Sequence, residues 1–371
     1  MKYYWADFGG NDMKNIINYV EEEKSPFSIK IFSGVDSLVL SQLAYLNFDG
    51  FVPSITDRSD SVTIESIATK KNNEDLYRHT RASMLNKKLL FALGWSPRFR
   101  DIRINYYVNK LDYASEKQFS AVTFHLSDGV AYIAYRGTDS TFVGWKEDFN
   151  MSFSSTIPSQ KESAIYLNNV GRLITGRLRI GGHSKGGNLA VYAAMKCESS
   201  IQSRIIDIFS HDGPGFREEI FYSLQYQKIK EIIHHYIPQS ALIGMMLEHH
   251  EKYVVVKSKR IGIMQHDPFS WIIEVGDFQY QEDINNMAII ANKTLQLWLD
   301  SLNDQNRELF VDILYSVINA TGAKTFSDLT VDMWGKALAV LSAIRNIDEE
   351  TKHFVAQTVR ELIFIAVKSF R

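Results

Sequence analysis

Three residues at alternate positions could support acyl transfer: Gly182, Ser184 and Gly186, within Leu178-Arg179-Ile180-Gly181-Gly182-His183-Ser184-Lys185-Gly186-Gly187-Asn188-Leu189-Ala190. A Gly-x-Ser-x-Gly spacing between an apolar run and a helical run is the setting of a nucleophile elbow. In such a turn the serine takes strained backbone angles, and side chains at the flanking positions would strike the neighbouring strand and helix. The hydroxyl then stands at a helix N-terminus, where free N–H groups and the helix dipole favour an oxyanion. A phosphate-cradling loop is the other chemistry open to a glycine-rich segment. Here the P-loop spacing is missing and Lys185 follows the serine instead of preceding it, so a nucleophile fits better.

A serine nucleophile needs a base, and the base needs an orienting carboxylate. In an elbow hydrolase the chain order is serine, acid, histidine. His266 lies in Ile263-Met264-Gln265-His266-Asp267-Pro268, after the last strand-like runs, where the base of this arrangement belongs. Asp212 follows the apolar run Ile205–Phe209 and precedes Gly213-Pro214-Gly215, which places it on the same sheet edge as the elbow. A turn-forming aspartate is the plainer reading of that residue. Asp267 adjoins His266 and points away from it, and Glu248 and Asp277 are less well placed. Thr138 ends an upstream strand in Tyr135-Arg136-Gly137-Thr138-Asp139, where its N–H and that of Lys185 would form an oxyanion hole. A simple strand-ending turn also explains that segment.

The pairs His234–His235 and His249–His250 raise the question of a metal. Adjacent side chains diverge, and neither pair has a carboxylate at a matching spacing. Both pairs are therefore expected to be solvated or helix-end histidines, with no metal ligands and no cofactor.

These residues need elements to hold them. Val35 to Leu46 and Arg81 to Leu93 have helical apolar spacing, the second closed by Gly94 and Pro97. Phe119 to His125 and Val130 to Arg136 read as strands joined across Asp128-Gly129, a hairpin signal. A helix is expected over Glu162 to Leu173, a strand at Leu178 to Ile180 and a helix over Asn188 to Lys196. Further strand-like runs fall at Arg204 to Phe209, Ile229 to Ile237 and Tyr253 to Val256. Alternation of this kind points to an α/β fold with a mostly parallel central sheet. From Gln281 onward the period is helical, with candidates at Ile289 to Leu302, Glu308 to Ile318, Leu329 to Ile344 and Asp348 to Phe370. The expected organisation is an N-terminal helical extension over 1–100, a core over 101–280 and a C-terminal helical segment over 281–371.

The composition narrows the function classes. The 371 residues are 45% hydrophobic and 23% charged, an ordinary folded composition that excludes disorder over most of the length. Forty-one basic against 43 acidic side chains give a net charge of −2, which leaves no footprint for nucleic acid. The single cysteine, Cys197, excludes an intrachain disulfide and a cysteine zinc site; a structural thiol is expected. The first residues show no basic then apolar leader, and Leu362 to Val367 is far below the roughly 18 apolar residues of a spanning helix. A cytoplasmic protein is the expectation. The amphipathic stretch Thr358 to Phe370 is expected to bury its apolar face in the protein, with a membrane surface as the alternative.

Taken together, Tyr135-Arg136-Gly137-Thr138-Asp139, Gly144-Trp145-Lys146-Glu147-Asp148-Phe149 and the segment 181–190 resemble the class 3 lipase branch of the α/β-hydrolases. More closely, the chain is similar to the lipase-like Mbeg1-like family. The shared stretches include Val35-Asp36-Ser37-Leu38, 212–216, Ile237-Pro238-Gln239-Ser240 and Gln265 to Trp271. The resemblance implies an α/β-hydrolase fold and a carboxylic ester hydrolase working through an acyl-enzyme, on a small-molecule or lipid-like ester. Ser184, His266 and Asp212 would be catalytic, Thr138 and Lys185 would form the oxyanion hole, and no cofactor would be required. A thioesterase or peptidase with the same residues, or a binding protein without catalysis, are the alternatives. Two departures stand out. Class 3 lipases usually carry their acid after the next strand, where this chain has Pro238-Gln239-Ser240, so either Asp212 serves or the set is incomplete. Lys185 replaces the usual leucine; it either pairs with Asp139 or Asp148, or favours an anionic substrate.

Overall fold

In the computed structural model, described for residues 13–322 and 339–369 apart from 58, 79, 140–141, 152–153, 155, 341, 343–344 and 346, the apolar runs pair into one large sheet. Its strands are β1 (Val62–Thr63), β2 (Arg103–Asp112), β3 (Lys117–His125), β4 (Ala131–Tyr135), β5 (Leu178–His183), β6 (Ile205–His211), β7 (Ile233–Pro238) and β8 (Tyr253–Val256). The strands β9 (Ile273–Glu274) and β10 (Asp277–Phe278) form a separate hairpin, and β11 (Tyr280–Gln281) returns to the large sheet. The order is β1-β2-β3-β4-β5-β6-β7-β8-β11.

The five strands from β4 to β8 run parallel, whereas β1 to β4 and the β8–β11 pair are antiparallel. The sheet is therefore mixed, not mostly parallel as expected. The connections explain it: the links after β2 and β3 are hairpin-length, and a parallel pair needs a crossover of a dozen or more residues. The links from β4 to β8 are long enough for one, while β1 and β11 add to the two edges as antiparallel strands. The helices α5 (Phe142–Asn150) and α6 (Pro158–Leu173) lie between β4 and β5, and α7 (Lys185–Lys196) with the short α8 (Ser199–Gln202) between β5 and β6. A single turn, α9 (Leu224–Gln227), lies before β7.

Strand side chains alternate faces. In β4, Ala131, Ile133 and Tyr135 join a core layer with Leu167, Val170, Leu189 and Ala193 of α6 and α7. Tyr132 and Ala134 face the other way, into a layer shared with the N-terminal helices. Those are α1 (Ile16–Glu22), α2 (Gly34–Leu43), α3 (Ile64–Ala68) and α4 (Ser83–Trp95). The helices of the described N-terminal residues thus cover one face of the sheet. Every residue of α2 is buried. Ser37 and Ser41 each meet the Tyr132 hydroxyl at 2.8 Å. Asp36 caps its own helix and pairs with Arg98 at 2.7 Å, both side chains fully enclosed.

Beyond β11, α10 (Asn286–Ser301), α11 (Asp304–Asn319) and α12 (Glu349–Ser369) follow. Trp298, Leu302 and Phe310 form a small core against Phe354, Val355, Leu362 and Ile365. The helix expected over Leu329 to Ile344 lies largely outside the described residues. Among the described residues no helix is long and apolar enough to cross a membrane.

Candidate active site

β5 leads straight into the elbow. Ser184 is the residue between β5 and α7, with φ 60° and ψ −136°, a conformation L-residues rarely adopt. Its N–H donates to the His211 carbonyl at 2.9 Å, which ties the turn to the end of β6. A Cβ on Gly182 would lie 2.3 Å from the Gly186 carbonyl carbon, and one on Gly186 would lie 2.1 Å from the Tyr135 carbonyl oxygen. Both obstacles are backbone, so the two glycines are sterically required. Lys185 opens α7, and its N–H has no partner four residues back.

Asp212 stands just past β6 with φ 51°, another left-handed non-glycine residue. Its N–H donates to the Tyr236 carbonyl at 2.7 Å, and its carboxylate is buried. Oδ1 accepts the Gly244 N–H at 2.9 Å, and Oδ2 lies 2.6 Å from His266 Nδ1. A carboxylate on Nδ1 holds that nitrogen protonated and leaves Nε2 as the basic one. His266 ends a 3-10 turn over Gly262–His266, its side chain 16% exposed.

His266 is held against the elbow by a residue that composition and spacing did not single out. The His183 ring packs on the His266 ring with centroids 4.5 Å apart. His183 Nε2 donates to the His266 carbonyl at 2.8 Å, so its Nδ1 accepts the Tyr45 hydroxyl at 3.0 Å. Burial, helped by the nearby His266, pulls the His183 imidazole well below its ordinary pKa. It is a neutral brace between α2's end, the elbow and His266. No hydrogen bond joins Ser184 to His266 among the described residues, and Ser184 is only 8% exposed.

On the other side of the elbow, a Cβ on Gly137 would lie 3.0 Å from Ser184 Cβ, so the end of β4 passes beside Ser184. Thr138 follows, buried, its hydroxyl donating to Asp148 at 2.6 Å. Lys185 folds away into the protein. Its Nζ donates to Glu147 at 2.9 Å and to the Gln118 carbonyl at 3.2 Å, and Asp148 lies 3.7 Å off. Burial alone would lower this ammonium; Glu147, then Asp148, reverse that and hold it above its usual value. The expected pairing with Asp148 is present, and the closer partner is Glu147, which is fully enclosed with Lys185. An enclosed, paired ammonium is not presented to a substrate.

The other candidates sit apart from His266 Nδ1. Asp267 binds Arg260 at 2.7 Å and caps the next turn through the Phe269 N–H. Asp277 accepts the Tyr280 hydroxyl, and Glu248 bridges to Phe216 through its backbone. Ser240, where the acid of a class 3 lipase would fall, receives Gln265 Oε1 on its N–H. The histidine pairs do not stay solvated as expected. His234 is half exposed and bonds Asp207, but His235 is buried and faces His249 across the fold, ring centroids 4.7 Å apart. Divergence within each pair sends one histidine of each inward. Cys197 is partly buried, its thiol pushed up to about 12 by burial, as suits a structural residue.

The profile of the Mbeg1-like family matches residues 93–316, more than half of the chain. No curated protein matches the sequence. Among solved structures, a Rhizomucor miehei lipase in its native propeptide complex is 15% identical, with a TM-score of 0.33. The likeness covers 42% of this chain and 57% of that one, so this chain spans less than two thirds of that lipase. M37 lipase is also 15% identical, with 58% of this chain and 70% of that chain covered and a TM-score of 0.36. On the profile match, with its own elbow, Asp-Gly-Pro-Gly turn and Gln-His-Asp-Pro segment in place, the chain belongs to the Mbeg1-like family.

Proposed function

We propose that this chain is a serine hydrolase of the α/β-hydrolase type, cleaving a carboxylic ester through an acyl-enzyme. The observation that carries the reading is the 2.6 Å contact between Asp212 and His266 Nδ1, with the imidazole stacked beside an elbow whose serine has φ 60°. Ser184 Oγ attacks the ester carbonyl while His266 Nε2 takes its proton. The Thr138 and Lys185 N–H groups receive the oxyanion. Collapse breaks the bond to the alcohol, which leaves with the proton from His266. Water, deprotonated by the same nitrogen, then attacks the acyl-enzyme and releases the acid. Asp212 keeps the imidazole oriented and stabilises its charged form. The exposed Ile261, Ile263 and Met264, on the segment that carries His266, favour a substrate with an apolar acyl part.

A second reading, a binding protein without catalysis, draws on the enclosed Ser184 and its lack of a hydrogen bond to His266. One experiment separates the two. A fluorophosphonate probe should label the wild type covalently and leave Ser184→Ala unlabelled. Absence of labelling in folded wild type, beside a reacting control lipase, refutes the hydrolase and favours the binding protein.

A further inference from the structure

A second cluster of titratable groups lies away from the elbow. His235 is on β7, paired with Ser210 of β6. His249 and Glu251 come from the segment before β8, which is clamped to 215–216 by hydrogen bonds between Gly215 and Met246 and between Phe216 and Glu248. A Cβ on Gly215 would lie 1.9 Å from the Glu248 oxygen and 2.9 Å from His249 Nε2, so glycine is what lets His249 close in. One donor atom from each of His235, His249 and Glu251 lies within 4.8 Å of the others.

We propose that His235, His249 and Glu251 form a site for one divalent transition metal of the zinc class. Its role is to tie the 241–252 segment to the end of the sheet.

Three observations support this. The first is spacing. A metal at about 2.0–2.2 Å from nitrogen and oxygen donors, with tetrahedral angles, sets donor separations of about 3.3–3.5 Å. Glu251 Oε1 lies 3.2 Å from His249 Nδ1 and 3.4 Å from His235 Nδ1. The second is the missing alternative. His235 is 1% exposed, yet among the described residues neither ring nitrogen has a hydrogen-bond partner, its approach to Glu251 at 3.4 Å being misaligned for one. Buried imidazoles are normally satisfied, and a metal would satisfy this one. The third is support for the ligand carboxylate. The Tyr226 hydroxyl donates to Glu251 Oε2 at 2.6 Å, which leaves Oε1 turned to the two rings.

The donor set selects the ion. Two imidazoles and one carboxylate suit zinc and its first-row neighbours and disfavour magnesium and calcium. His249 and Glu251 side chains are each 8% exposed, so solvent reaches one edge and supplies the remaining position. The segment so held also carries Gly244, whose N–H meets Asp212. The metal would steady that contact without taking part in the ester chemistry.

The test uses the full chain, stripped of metal by dialysis against a chelator and titrated with cobalt(II) chloride, then zinc chloride. One cobalt per chain should bind, with a visible ligand-field band that one zinc abolishes. Glu251→Gln, which can still accept the Tyr226 hydroxyl, should weaken zinc binding by about a hundredfold or more. His250→Ala and His234→Ala should bind as the wild type does. Failure of folded wild type to bind cobalt saturably at one per chain overturns the proposal. So does unchanged affinity in folded Glu251→Gln. If that variant does not fold, His249→Ala takes its place, and the wild-type titration decides by itself. None of these readings depends on ester hydrolysis, so the two proposals fail separately.

Discussion

At the scale of the residue, Lys185 does two things that pull against each other. Its backbone N–H belongs to the proposed oxyanion hole, while its side chain runs under the elbow to Glu147. Both charges are fully enclosed, and Glu147 also accepts the Gln118 and Ser159 N–H groups at 3.0 and 2.9 Å. Removing one partner of such a pair leaves an uncompensated buried charge, at a cost of about 3–5 kcal/mol. Lys185→Met alone should therefore destabilise by about that amount in a urea titration. The double variant Lys185→Met/Glu147→Gln should be more stable than the single, because the amide removes the uncompensated charge and its oxygen still accepts one of the two N–H groups. If the double variant is no more stable than the single, the ion pair is not what holds this loop. Glu147 was not legible as the closer partner: it adjoins Asp148, and which of the two carboxylates is enclosed with Lys185 is decided by how α5 packs. His183 was equally hidden, since its work is defined by the His266 ring it stacks on and not by any spacing.

At the scale of the element, the elbow was the most legible part of the chain because backbone sterics dictate its glycines. The obstacle at Gly186 is the Tyr135 carbonyl of the neighbouring strand. A backbone atom of a central strand cannot step aside, so Gly186→Ala should push α7 away from the end of β4 and lower stability by several kcal/mol, on the order of an overpacked core position or more. Gly34 is the internal comparison. A Cβ there meets only the Tyr236 side chain, its hydroxyl at 2.6 Å, and a ring can shift. Gly34→Ala should be the milder of the two in thermal denaturation, and the reverse order would show that the elbow tolerates a side chain. Other elements were harder to read. β2, Arg103–Asp112, has a mostly exposed outer half with Asn109, Lys110 and Asp112, which blurs alternation, and a bulge between Asn105 and Val108 breaks it again. The choice between Asp212 and the Ser240 position was not decidable from spacing. It depends on which strand end faces His266, and that follows from the sheet order. The histidine pairs misled for a related reason: each was weighed alone, and the ligand set forms only when β7 and the segment before β8 come together.

At the scale of the whole molecule, the open question is what the C-terminal helices are for. α12 carries two kinds of apolar residue. Phe354, Val355, Leu362 and Ile365 pack with Trp298, Leu302 and Phe310, and the Trp298 indole donates to the Thr358 carbonyl at 3.0 Å. Ile363 and Phe364, at 59% and 69% exposed, point outward. α11 in turn reaches the elbow's surroundings, because Asp312 pairs with Lys146 of α5 at 2.7 Å, next to the Glu147 and Asp148 that hold Lys185 and Thr138. This arrangement favours an intramolecular role: the helices anchor α5 and, through it, the proposed oxyanion loop. With Val359, 40% exposed, Ile363 and Phe364 are a small apolar area among the described side chains of α12 for a membrane interface, where affinity grows with the buried surface. The double variant Ile363→Glu/Phe364→Glu should then leave co-sedimentation with anionic liposomes unchanged and cost little stability. Trp298→Ala should behave oppositely, costing about 3–5 kcal/mol for a large buried aromatic and opening the contact between α10 and α12. It should also lower fluorophosphonate labelling of Ser184, by loosening what braces α5. If the exposed pair abolishes liposome binding by the wild type, or if Trp298→Ala leaves labelling and stability intact, α12 serves a surface outside the molecule and not its own core.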